Sequence, residues 1–130
     1  QSIFHPAYGA LHQDADILLG QPRALVFKGD SGEVEIKPQA DTRMQLLEDT
    51  TTREITLPRT VTGKIAPVAQ PAVEPVRALW QSKQANAYGL DAVLATASAG
   101  LLAMGYAADV EACATRARTL WEQRDRERLS

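Results

Sequence analysis

Residues 59–75, RTVTGKIAPVAQPAVEP, hold three prolines and one glycine and follow no apolar period. Proline removes a backbone donor and fixes φ, so such a stretch continues neither a helix nor a central strand. It reads as an extended surface connection that separates two kinds of sequence. Before it lie strand-like runs, and after it every periodic segment is helical. The break limits the fold to an α/β or α+β unit: residues 1–66 give a helix plus strands, 67–75 a linker, and 76–130 helices. The 130 residues suit one domain able to bury about two-thirds of its unfolded surface.

In the first half, HPAYGALHQDADILLG reads as a helix that starts near Pro6 and stops at Gly20, with Leu11, Ala15, Leu18 and Leu19 as its apolar stripe. RALVF, between Pro22 and Gly29, is an aliphatic run of the kind found in buried strands. EVEIK alternates, which places Val34 and Ile36 on one face and Glu33, Glu35 and Lys37 on the other. Residues 24–27 and 33–36 are therefore expected to be strands joined through Gly29–Gly32, with both glutamates outward. TRMQLLED and TTREITLP add two strands and a hairpin around Asp49–Thr51.

In the second half, a helix is expected near Glu74 and Pro75, with Val76, Leu79 and Trp80 on one side. LDAVLATASAGLLAMG is so uniformly small and apolar that burial on most sides is expected, with Gly105 as its stop. The last helix sets Val110, Cys113, Ala114, Ala117, Leu120 and Trp121 at helical spacing, and Glu122 with Arg126 in the favourable i,i+4 order. The few strands and the apolar penultimate helix suggest part of a larger sheet domain.

Composition excludes some functions. A net charge of −2 gives no general attraction to nucleic acid or acidic membranes. The single cysteine, Cys113, forms no internal disulfide and builds no zinc site alone, which points to a reducing, cytoplasmic setting. No apolar run approaches the ~20 residues that span a bilayer, so no membrane partner is expected. No signal peptide is read either, and the abrupt opening at Gln1 suggests a processed precursor or missing upstream residues.

VFKGDSGEVEIKP at 26–38 is the stretch most able to carry chemistry. It lacks the Gly-Lys-Ser/Thr of a Walker loop, and its glycines lead into a strand, so no helix N-terminus faces a phosphate. A glycine-assisted turn is one reading. The other is a magnesium site, with Glu33 and Glu35 on one side of a strand and Asp30 in the turn. His5 and His12 lack converging ligands. Cys113 sits on an apolar stripe and reads as inert core. Ser31 lies in no Gly-x-Ser-x-Gly elbow.

RALVFKGDSGEVEIKPQADTRMQLLED resembles the C-terminal half of anthranilate phosphoribosyltransferase-like proteins, glycosyl transferase family 3: a strand, a His- or Lys-Gly turn, a "DE" or "GE" segment, then Pro and a "TR" strand. HPAYGALHQDADILLG is similar to the family's preceding helix, and DAVLATASAGLLAMGYAADVEACATRARTLWEQRD to its two closing helices. The resemblance implies the C-terminal portion of a phosphoribosyltransferase-type, nucleoside phosphorylase-like mixed-sheet domain. It also implies transfer of a phosphoribosyl group from phosphoribosyl pyrophosphate to an aromatic or unknown acceptor, with Mg2+ on the pyrophosphate.

Aligned on Gly32, the family's Asp-Glu metal pair falls at Val34 and Glu35, so Glu35 matches and Glu33 substitutes from one side. Lys28 and Gly29 are then implied at the phosphate side. The family's GTGGD-type loop and N-terminal helical domain belong upstream, so the isolated chain is expected to be inactive and to hold no ordered magnesium. A homodimer that covers an exposed edge or apolar face is a further expectation. The alternative is a non-catalytic paralogue that binds nucleic acid through Lys28 and the arginines of the last helix.

Overall fold

The computed structural model describes residues 3, 5, 7–28, 36–62 and 72–129. Three antiparallel strands, β1 (Arg23–Phe27), β2 (Thr42–Glu48) and β3 (Thr51–Leu57), form a sheet in the order β1-β2-β3. Arg23 pairs with Glu48 and Phe27 with Met44, while Thr42 pairs with Leu57 and Glu48 with Thr51. The two-residue turn between β2 and β3 needs a left-handed residue, and Asp49 takes it at φ 56°. The mixed α/β class and this hairpin follow the sequence reading.

The proposed strand partner of β1 over 33–36 falls mostly outside the described residues, Val34, Glu33 and Glu35 included. Ile36 is buried as expected but lies outside any strand, and β1 pairs with β2.

Helix α1 (Tyr8–Leu18) ends where Gly20 turns to φ 68°. Its orientation corrects the sequence reading. Leu11, Leu18 and Leu19 are exposed and Ala15 with them, whereas Gly9, Gln13 and Asp16 are buried. The cause is the surface that α1 meets. Gln45 points at it from β2, and a Cβ on Gly9 would lie 3.1 Å from Gln45 Oε1. Gln13 donates Nε2–H to the Gln45 carbonyl at 2.9 Å. Gly9 and Gln13 allow that approach, and the same sheet face supplies its own apolar side chains, Val26 and Leu47, both buried.

The opposite sheet face carries the main core. Leu25, Met44, Leu46 and Leu57 pack with Ile36 and with Ala99, Leu102 and Cys113 from two antiparallel helices, α3 (Ala87–Ala103) and α4 (Val110–Glu122). Asn86 caps α3 by accepting from Gly89 N, and Asp109 caps α4 by accepting from Ala112 N, both at 2.8 Å. Gly105, at φ 76°, stops α3 as its sequence indicates. The expected burial of α3 on most sides holds in graded form: Leu94, Ser98, Ala99 and Leu102 are buried, Ala95, Leu101 and Ala103 are half-buried against the core, and Val93, Thr96 and Gly100 form one exposed stripe. Val93 and Met104 are exposed, since the sheet and α4 both lie on the other side.

Helix α2 (Val73–Trp80) begins inside the expected linker. Pro75 sits in its first turn, where a missing N–H leaves no intrahelical bond unmade. The expected Glu122–Arg126 pair is also corrected: α4 ends at Glu122, and Arg126 opens a separate 3-10 turn, Arg126–Leu129. No helix among the described residues is long and apolar enough to cross a membrane.

Candidate functional site

Lys28 follows the last residue of β1 and is half-buried, so the strand delivers it to one end of the sheet. A pocket of about 320 Å3 opens there. Ile3, Gly9 of α1, Val26, Phe27, Met44 and Gln45 line it, together with four charged residues, Lys28, Arg43, Asp41 and Glu54, which form its rim. Strand alternation explains the rim. In TRMQLLE the residues Met44 and Leu46 face the core, so Arg43 and Gln45 face the other way. In β3 the same rule turns Glu54 outward while Ile55 and Leu57 pack inward.

The rim balances two cations against two carboxylates. Asp41 is held in place from the chain beyond β3, its Oδ1 accepting Arg59 N–H at 2.9 Å. Arg43 and Glu54 are exposed, which leaves their charges open to a ligand. The rim offers two cationic donors and two carboxylates with no net charge, so any preference for an anionic group would come from the donors' placement and not from the overall field.

Of the residues named from the sequence, the structure places Lys28 at this pocket. Gly29, Asp30, Glu33 and Glu35 lie outside the described residues. Among the described residues no group of three or more His, Cys, Asp or Glu side chains could hold a metal. His5 accepts Ala7 N–H through Nδ1 at 3.2 Å and meets Tyr8 edge-on, while His12 is exposed on α1. Cys113 is fully buried, and desolvation pushes its thiol pKa up, as suits an inert core residue. Sequence reasoning missed Arg43, Asp41 and Glu54. The alternation of TRMQLLE and TTREITL carried the signal for Arg43 and Glu54, but not which face would border a cavity.

A second cluster of charge serves the frame. Arg23 donates to Glu48 Oε1 at 2.8 Å and to the carbonyls of Leu102 and Ala103, both at 3.1 Å. Arg53 donates to Glu48 Oε2 at 2.9 Å and to the Ala108 carbonyl at 3.1 Å. These bonds, Arg53's first and then Arg23's, hold the Glu48 carboxyl below its usual range. Compared with known proteins, the chain matches no family model and no curated protein.

Proposed function

We propose that the chain supplies one wall of the active site of a glycosyl transferase family 3, anthranilate phosphoribosyltransferase-like enzyme, which moves a phosphoribosyl group from phosphoribosyl pyrophosphate to an acceptor. The observation that carries this reading is the delivery of Lys28 by β1 into a pocket that Arg43 also lines. Two cations in one concavity suit phosphate, Arg through its planar fork and Lys as a point charge. Asp41 and Glu54 add hard oxygen donors. Magnesium commonly takes one or two carboxylates and fills its shell with water and substrate phosphates, so this pair fits a shared ion better than an all-protein cage.

When bound, magnesium would offset charge on the departing pyrophosphate. Lys28 and Arg43 bind and orient the phosphates, and Asp41 and Glu54 would hold the magnesium through its oxygen shell. Gly29, Glu33 and Glu35 belong to the same reading through the family resemblance. A reducing, cytoplasmic setting goes with it. The chain alone is proposed to be inactive, because no GTGGD-type loop occurs among its 130 residues to position the second side of the substrate.

The test is calorimetric titration of phosphoribosyl pyrophosphate with magnesium, run beside an assay for released pyrophosphate. Expected are a Kd on the order of 1 mM, its loss in Lys28→Ala and in Arg43→Ala, and no turnover. Binding unchanged by both substitutions would remove the pocket from the reading. Steady pyrophosphate release would overturn the claim of a single wall. The nucleic-acid alternative has less support, since Arg124 is committed to backbone carbonyls and Arg116 lies over the Tyr106 ring at 5.8 Å. Sub-micromolar single-stranded DNA binding with a steep salt slope would favour it instead.

A further inference from the structure

The strongest unexplained contact lies far from the pocket, where α2 meets the end of α4. Helix α2 is short and has no buried residue. At eight residues it is well below the ~12–15 that hold a helix in water unaided. Its N-cap, Ala72, makes no side-chain hydrogen bond, and its one internal ion pair, Arg77 with Glu74, is exposed. Docking must therefore supply its order.

Leu79 packs against α3 at Gly89, and one side chain supplies most of the polar contacts of that docking among the described residues. Arg124 donates Nε–H to the Trp80 carbonyl at 2.9 Å and reaches the Leu79 carbonyl at 3.4 Å, so it closes the C-terminal end of α2. The same guanidinium donates to the Trp121 carbonyl at 2.6 Å, which ties it to the end of α4. It also stacks 3.6 Å from the Trp121 ring centroid. Trp80 completes the joint, meeting Trp121 edge-to-face at 5.7 Å and donating its indole N–H to the Asp125 carbonyl at 2.8 Å.

The chain leaving α2 turns through a left-handed residue, closed by the Ser82 N–H to the Leu79 carbonyl and the Lys83 N–H to the Ala78 carbonyl, and the joint adds to that closure. Ser82 stands at φ 58°, a left-handed conformation unfavourable for a residue with a Cβ. Its Oγ accepts from Arg124 Nη2 at 2.8 Å. The bond that seats Arg124 therefore also holds the strained turn.

We propose that α2 is a latch pinned by Arg124, a separable unit whose helix forms when the guanidinium seats and melts when it leaves, uncovering the Trp80 and Trp121 indoles. The rest of the fold does not depend on it, because none of the core residues lies on α2.

Hydrogen exchange on the whole chain tests this. In the wild type, α2 amides should exchange at least about 100-fold faster than the central amides of β2, through an opening that leaves β2 intact. In Arg124→Ala, α2 amides should speed up by about a further 30-fold while those of 94–102 keep their rates. Arg124→Lys should not restore protection, since an ammonium lacks the fork that spans both helix ends. Wild-type rates for α2 in Arg124→Ala would overturn the pin. Equal acceleration of α2 and α3 would overturn the separable unit. If Arg124→Ala does not fold, wild-type exchange in low urea decides: a common opening for α2 and β2 overturns the latch, and an earlier opening of α2 supports it.

Discussion

Against one face of the sheet, α3 and α4 bring Ala99, Leu102 and Cys113 to Leu25, Met44 and Leu46; against the other, α1 brings Gly9, Gln13 and Asp16 to a surface centred on Gln45. The first interface is held by apolar burial, which is non-directional and scales with area. The second also buries apolar side chains, Val26 and Leu47, but adds close approach and a side-chain bond to a strand carbonyl. A helix's apolar stripe therefore does not by itself identify its buried face. What the helix meets decides which side turns inward.

The largest expected effect tests the apolar face. Leu102→Ala deletes a side chain that is 1% exposed and should cost about 3 kcal/mol in urea unfolding. A loss under about 1 kcal/mol would show that this core collapses around the gap. Next comes the polar face. Gln13→Ala removes the bond to the Gln45 carbonyl and should cost about 1 kcal/mol. No loss would mean that water replaces the amide freely.

A smaller effect concerns pH. The Glu48 carboxyl is lowered in the fold, so its contribution is present at neutral pH and fades as pH falls below about 4.5, through its folded value. Stability of Glu48→Gln should therefore depend less steeply on pH in that acid range than the wild type. Parallel curves would remove Glu48 from the acid response. Smallest of all, Leu18→Gln should change stability by no more than about 0.5 kcal/mol, because the leucine is 88% exposed. A loss as large as that of Leu102→Ala would reverse the comparison between the two faces.

These contrasts show what the sequence could convey. The β2–β3 hairpin was legible because Ile55 and Leu57 alternate with Glu54 and Thr56 beside a polar turn, all within a few residues. Gly20 and Gly105 were legible as stops for the same local reason. The face of α1 was not, since its stripe shows only that the helix is amphipathic. In α3 the apolar residues are too uniform to mark a face, so the exposed stripe of Val93, Thr96 and Gly100 was not legible. Arg124 was invisible because it caps a carbonyl 44 residues earlier in the chain. At the candidate site, Lys28 could be placed because it adjoins a clear strand, whereas Arg43 needed the pocket to be located first.

Glu48 has a consequence for how the chain threads itself. Arg23 stands opposite it in the β1–β2 pairing, and Arg53 stands diagonal to it, opposite Leu46, in the β2–β3 pairing. A one-residue slip in either ladder moves a strand's side chains to the wrong face. The shared carboxylate thus samples both alignments at once, and the two arginines reach the Leu102, Ala103 and Ala108 carbonyls when both are correct. Misthreaded sheets would leave the corner between α3 and α4 without its donors. The triad acts as a checksum on strand alignment, read when the helical pair docks.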